Sequence, residues 1–283
     1  EMIKLENVNY IYERGMPDER QALFDINLEI PDGTVTAIIG HTGSGKSTLI
    51  QLLNALEKPS SGNINVNGTE VCAKDADIRG LRQRVGLVFQ YPEQQLFEET
   101  VYKDIAFGPK NMGLSDDEID KRVREAARLA GVNEKYMNRS PFDLSGGQKR
   151  RAAIAGVLAM EPDVLILDEP AAGLDPRGRD GILSEIKKLH EEKPEMIIIF
   201  VSHSMEDVAK TAEHIVVMNN GRIAMTGGVK EVFSRGRELE EMGLSVPQIT
   251  KLCARLSSAG INIEQGIFTV EEAVEKLAAA MNL

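Results

Sequence analysis

The stretch Gly40, His41, Thr42, Gly43, Ser44, Gly45, Lys46, Ser47 and Thr48 constrains this chain most, because of what stands on either side of it. The apolar run 35–39 reads as a buried strand that stops at Gly40, and residues 47–56 have the leucine-rich character of a helix. A strand, a glycine-rich turn and a helix therefore follow one another. Gly40, Gly43 and Gly45 let the turn wrap with its amide N–H groups inward, and the helix N-terminus adds partial positive charge for a polyanion. Lys46 then reaches the β and γ phosphates of a nucleotide, and the Ser47 hydroxyl is placed for Mg²⁺. A chance lysine in a structural turn does not require all these positions to be filled.

A second apolar run, 164–167, ends in Asp168 and Glu169. Two consecutive carboxylates at the end of a strand buried on both faces are costly unless something positive sits beside them. Fraying into solvent is the bland alternative. Beside a phosphate loop, Asp168 suits a Mg²⁺ ligand and Glu169 a general base facing the attacking water.

LSGGQ, residues 144–148, admits an ordinary reading first. Ser145 followed by Gln148 fits a helix capping box before the apolar run 152–158. Gly146 and Gly147 do not fit that purpose, since glycine costs up to about 1 kcal/mol against alanine within a helix. Bare glycines at a positive helix end do allow backbone N–H groups to approach a phosphate closely.

With these motifs in this order, residues 2–230 resemble the nucleotide-binding subunit of an ABC transporter. The resemblance implies an α/β P-loop NTPase fold, with a parallel core sheet, an antiparallel β layer, a helical subdomain at about 91–162 and a small helical C-terminal extension. It implies ATP and Mg²⁺ as ligands. It also implies that Ser145, Gly146, Gly147 and Gln148 act on the γ-phosphate held by the phosphate loop of a second subunit. Gln90, after the strand 85–89, matches the loop glutamine that senses Mg²⁺ and water. Asp175, in the run Gly173, Leu174, Asp175, matches the loop crossing the dimer interface, and His203, after the strand 196–202, matches the switch histidine. Singly, each has a dull explanation as a strand-end polar residue, a turn former or a surface histidine. Tyr12 corresponds to the aromatic that stacks on adenine, with Tyr10 beside it as the competing candidate. Ala171 departs from the threonine or serine common in relatives.

The stretches FQYPEQQLFEETVYKDIAFGP (89–109) and SGGQKRRAAIAGVLAMEP (145–162) look like the ATPase subunit of an energy-coupling factor transporter, an importer of vitamins, cobalt or nickel. GHTGSGKST with the later Ala-Phe-Gly-Pro resembles that group's second ATPase type. The resemblance implies a second ATPase subunit, identical or related, a transmembrane coupling subunit meeting Glu98 and Glu99, and through it a substrate-binding membrane subunit. The alternatives are the motor of another ABC importer and a soluble non-transport ABC protein.

At 283 residues the chain has room for one to two domains, and a formal net charge of −11 argues against a nucleic-acid footprint. Two cysteines, Cys72 and Cys253, without a metal spacing suit a reduced compartment. No N-terminal signal segment is visible and apolar runs such as 196–201 are too short to span a bilayer, so the expected place is the cytoplasmic face of the membrane, held by a partner. Alternation over 3–12 and 23–30 and the turn before 63–67 fit the antiparallel layer. Ser115 with Glu118 reads as a capping box opening a charged helix through Leu129, and the run 191–193 as a solvated helix end. The ATPase domain is expected over 1–230 and the extension over 231–283. Ser245 with Gln248 and Thr269 with Glu272 read as capping boxes of two tail helices. Val246, Ile249, Leu252, Cys253 and Leu256, then Val270, Ala273, Val274, Leu277, Ala278 and Met281, give apolar stripes. These stripes pack on their own chain or serve dimerisation.

Overall fold

The computed structural model describes residues 3–73, 75–260 and 266–281. The chain opens with β1 (Ile3–Tyr12), β2 (Arg20–Ile30), β3 (Val35–Ile39), α1 (Lys46–Leu53), β4 (Ser61–Val66) and β5 (Thr69–Glu70). There follow α2 (Ile78–Arg84), β6 (Val85–Val88), α3 (Val101–Asn111), α4 (Asp116–Leu129), α5 (Gly146–Leu158) and β7 (Val164–Asp168). Next come α6 (Pro176–Glu192), β8 (Ile197–Val201), α7 (Met205–Thr211), β9 (His214–Asn219) and β10 (Arg222–Gly228). The tail holds α8 (Val229–Ser234), α9 (Gly236–Glu241), α10 (Gln248–Ser258) and α11 (Val270–Met281).

Two sheets result. A four-stranded antiparallel sheet runs β2-β1-β4-β5, and a six-stranded sheet runs β10-β9-β3-β8-β7-β6, parallel except for β10. Strands β3 and β8 are buried at every position because both faces of the parallel sheet are covered, which is why they read as unbroken apolar runs. Successive side chains on a strand point to opposite faces. Ala37, Ile39, Leu165, Leu167, Ile198 and Phe200 therefore face a core shared with α3, α4 and α5. Ile38, Ile166, Ile199 and Val201 join the core shared with α1 and the antiparallel sheet. The functional strand ends are thus clamped from both sides.

The tail differs from the sequence expectation in three respects. Two short helices, α8 and α9, precede the expected pair; Val232, Phe233 and Leu239 sink into the main core, but runs of six residues are too short to show a period. The Ser245–Gln248 capping box does not form. Pro247 begins α10 instead, the Ser245 hydroxyl donates to the Val246 carbonyl at 3.1 Å, and the Gln248 N–H goes to Glu206 Oε1 at 3.1 Å. At α11 the Thr269 hydroxyl accepts the Glu272 N–H at 3.2 Å, while Glu272 accepts the Phe268 N–H at 3.3 Å rather than closing a box on Thr269. Cys253, Ile267 and Ala273 form a satellite core between α10 and α11. Leu252, Val270 and Val274 stay 48%, 54% and 60% exposed, so own-chain packing covers only part of the stripes. The side chain of Met281, the last member, lies outside the described residues.

One reading of the charged helices also changes. Ser115 accepts the Glu118 N–H at 3.4 Å, yet the Glu118 carboxylate turns to Arg122 at 2.9 Å, so only half of that box exists. Glu192, read as part of a solvated helix end, is exposed and also accepts from Arg128 of α4 at 3.2 Å, tying the helical region to α6.

Candidate nucleotide site

The phosphate loop leaves β3 and enters α1 through Gly45 at φ +102°, where an added Cβ would stand 2.7 Å from Leu23 Cδ2. No other residue fits that position without strain. The turn between β9 and β10 clips the loop from behind: Gly221 donates to the Ser44 carbonyl at 3.0 Å and accepts from the Phe24 N–H at 2.8 Å. His41 reaches the same turn, with Nε2 3.2 Å from Asn219 Oδ1. Together they bound a cleft of about 420 Å³ lined by Tyr12, Arg20, Phe24, Gly43, Lys46, Ser47, Thr48 and Asn220. The Tyr12 hydroxyl lies 2.8 Å from Thr48 Oγ1. Tyr10 is buried at 6% exposure, donates to Glu57 at 2.6 Å and meets Tyr12 edge-on. Of the two tyrosines, Tyr12 is the one on the cleft.

Lys46 is 6% exposed, and its ammonium donates to the carbonyls of Gly40 at 2.8 Å and His41 at 3.0 Å. Burial pushes its pKa down, against the pull of Glu169 and Asp168. Burial pushes the Asp168 carboxyl up, assisted by Glu169 and opposed by Lys46 and His203. Both carboxylates and the lysine therefore share one partly dehydrated field. Glu169 turns out of β7 at φ +49°, a left-handed conformation that costs a non-glycine residue about 1–3 kcal/mol and concentrates at functional sites. Its Oε2 accepts from Gln90 Nε2 at 2.9 Å and its Oε1 lies 2.8 Å from His203 Nε2. Residues more than a hundred positions apart in sequence thus converge on one carboxylate.

The other expected positions are placed as follows. Ser145 precedes α5, and its N–H donates to Gln148 Oε1 at 2.9 Å; Gln148 Nε2 in turn donates to the Tyr136 hydroxyl at 3.0 Å. Among the described residues, a Cβ added at Gly146 or Gly147 would meet nothing within 4 Å, so no described packing requires glycine there. Asp175 caps α6, accepting the Gly178 N–H at 2.7 Å. Thr42 and Ser47 are exposed.

Two residues that sequence reasoning passed over hold these loops together. Arg150 of α5 is 1% exposed and donates to Glu93 Oε1 at 2.8 Å and Oε2 at 3.0 Å, to the Pro170 carbonyl at 3.0 Å and to Ala172 at 2.6 Å. It joins the segment after Gln90 to the segment after Glu169. Burial raises the Glu93 carboxyl, and the bonds to Arg150, a backbone N–H and the charges of Arg150 and Lys149 together outweigh this, leaving it below its ordinary value. Arg179 does similar service beside His203. In the sequence both look like ordinary surface charges on helices; Arg150 stands between Lys149 and Arg151, just before the apolar run 152–155, and nothing sets it apart from them.

Phosphate and Mg²⁺ suit this arrangement. Among the described residues the buried Ser44 hydroxyl has no hydrogen-bond partner, and the Lys46 ammonium donates to the carbonyls of Gly40 and His41. Among the described residues no three His, Cys, Asp or Glu side chains cluster as a metal cage. Mg²⁺ needs none, being held by one or two protein oxygens together with phosphates and water.

The family described as ABC transporter matches residues 23–172. The chain is 56% identical to the energy-coupling factor transporter ATP-binding protein EcfA2 of Clostridium perfringens (strain 13 / Type A), over 97% of this chain and 96% of that one. It is 55% identical to the protein of that name from Caldanaerobacter subterraneus subsp. tengcongensis, with 97% and 96% covered. Among solved structures it resembles cbiO1 from Clostridium perfringens, part of the ABC transporter complex cbiONQ, with a TM-score of 0.76 and 42% identity over 88% of this chain and 97% of that one. It also resembles a dimeric ATP-binding cassette, MJ0796, bound to ADP and Pi, with a TM-score of 0.70 and 29% identity over 80% and 98%. The chain belongs to the ABC transporter family, among the ATP-hydrolysing subunits of energy-coupling factor transporters.

Proposed function

We propose that this chain binds ATP with Mg²⁺ between two ATPase subunits and that Glu169 is the base for the water attacking the γ-phosphate. The observation that carries this reading is the convergence of Gln90 and His203 on the two oxygens of Glu169, beside Asp168 and Lys46. Tyr12 stacks on the adenine, and the loop from Gly40 to Thr48 wraps the phosphates. Lys46 exchanges its two carbonyl partners for phosphate oxygens. Mg²⁺, held by Ser47, Asp168 and Gln90, supplies neutralisation of the phosphate charge. Glu169 takes a proton from the water while Gln90 and His203 fix the carboxylate, a contribution of about 10²- to 10⁴-fold for a positioned base. Ser145, Gly146, Gly147 and Gln148 serve the partner's nucleotide, which accounts for two glycines that the described packing leaves unexplained. Asp175 lies at the subunit interface.

The ATPase domain covers 1–230, and the extension 231–283 contributes to dimer contacts through its exposed Val270 and Val274. The second subunit is another copy or a related ATPase. The chain sits at the cytoplasmic face of the membrane beneath a transmembrane coupling subunit and, through it, a substrate-binding membrane subunit for a vitamin, cobalt or nickel. No described helix is long and apolar enough to cross a membrane. The docking region is the loop after Gln90. Phe97, 60% exposed, packs edge-on to Phe107 at 5.1 Å beside a cavity of about 720 Å³, and Asp104 accepts the N–H groups of Phe97 and Glu98. Exchanging Glu98 and Glu99 for lysine is expected to weaken co-purification with the membrane subunit while the isolated chain still binds ATP. Assembly at wild-type yield contradicts the docking assignment.

A further inference from the structure

We propose that Arg179 is a positioning residue for His203, linking the placement of the interface loop before α6 to the histidine that holds Glu169. The inference rests on the proposed roles of His203 and Glu169. Asp175 and Arg179 occupy the first turn of α6: the Asp175 carboxylate accepts the Gly178 N–H at 2.7 Å and its carbonyl accepts the Arg179 N–H at 2.9 Å. Any shift of the interface loop therefore carries the arginine with it.

The guanidinium, on a side chain that keeps 38% exposure, reaches into the switch segment. Its Nε donates to Asp207 Oδ1 at 2.8 Å and Oδ2 at 3.0 Å, and Nη2 donates to the Ser204 hydroxyl. Ser204 directly follows His203 and is fixed on every side. Its N–H donates to Ser202 Oγ at 3.1 Å, and its hydroxyl also accepts the Asp207 N–H at 3.2 Å and donates to Glu206 at 3.4 Å. A serine hydroxyl has one donor and two acceptor lone pairs, so all its capacity is used and the Arg179 bond has no idle substitute. Asp207 is 6% exposed, and a carboxylate so enclosed needs a paired cation. Arg179, Glu169, His203 and Ser204 line one cavity of about 210 Å³. The cleft around Tyr12 and Lys46 is elsewhere and contains none of them.

This geometry separates kcat from nucleotide affinity. Lysine at 179 keeps the charge beside Asp207 but lacks the fork that reaches Ser204 as well. We expect Arg179→Lys to lower kcat about 10- to 100-fold, the effect of a misplacement of about 1 Å, with KM for ATP little changed. A cycle of single-turnover measurements with Arg179→Lys, His203→Ala and the double variant identifies the route. If Arg179 acts through His203, Arg179→Lys adds no loss once His203 is alanine. Ser204→Ala keeps the Asp207 pair intact and reproduces the kcat loss should Arg179→Lys fold poorly. Wild-type kcat in either variant overturns the proposal, as do losses that multiply in the cycle or a fall only in melting temperature. Normal hydrolysis by His203→Ala alone would instead remove the histidine's role, a separate failure.

Discussion

Replacing Arg150 with methionine tests whether one buried side chain ties the loop after Gln90 to the backbone beside Glu169. Methionine fills most of the volume and leaves the Glu93 carboxylate and the carbonyls of Pro170 and Ala172 without their donor. Removing one member of a buried ion pair costs about 3–5 kcal/mol. The Glu93 side chain keeps 19% exposure, so water reaches it and the cost falls at about 3 kcal/mol, the low end of that range. With roughly 2–4 °C per kcal/mol for a chain of this size, the melting midpoint drops by about 6–12 °C. Urea unfolding followed by circular dichroism gives the free energy, and a slope like that of the wild type assigns the change to the folded state. The Glu93→Gln, Arg150→Met double variant removes the stranded charge and loses less than the sum of the singles. A single variant within about 0.5 kcal/mol of wild type, the range of ordinary surface substitutions, refutes the reasoning.

Tyr12→Ala is expected to weaken ATP binding about 5- to 150-fold, since stacking on a base is worth about 1–3 kcal/mol; Tyr10→Phe, altered away from the cleft, leaves affinity unchanged, and equal losses in a titration contradict the assignment. Exchanging Val270 and Val274 for glutamate lowers the dimer fraction in nucleotide-free light scattering, whereas an unchanged mass distribution leaves own-chain packing as the whole role of the tail. The depressed Glu93 carboxyl contributes stability that is present above the ordinary value of 4.5 and lost as pH falls through its lower folded value. Glu93→Gln should therefore show a flatter acid limb in stability against pH, and parallel curves for the two proteins argue against it.

The strand ends were legible in the sequence because burial on both faces forces unbroken apolar runs, and the phosphate loop because Gly45 has a conformational reason to be glycine. Helix α4 was legible to its last residue, since fourteen residues with a full amphipathic period leave little freedom. Helices α8 and α9 were not, each being six residues long. The box at Ser245 failed because Glu206, distant in sequence, supplies the acceptor that Ser245 was expected to provide. Arg150 and Arg179 escaped notice for a related reason. Their partners lie on other elements, and a sequence pattern shows which face of a helix is apolar but not which carboxylate stands across from it.

The central claim is that Glu169 acts on water after ATP has closed two subunits, and sizing Glu169→Gln with Mg-ATP while measuring phosphate release tests it most directly. Glutamine preserves the shape that Gln90 and His203 grip but has no basic oxygen, so hydrolysis is expected to fall about 10²- to 10⁴-fold while binding survives. The variant should accumulate as an ATP-bound dimer, and Lys46→Ala, deprived of the phosphate ligand, should remain open. Near-normal phosphate release by Glu169→Gln, or a population that stays monomeric with bound ATP, contradicts the account.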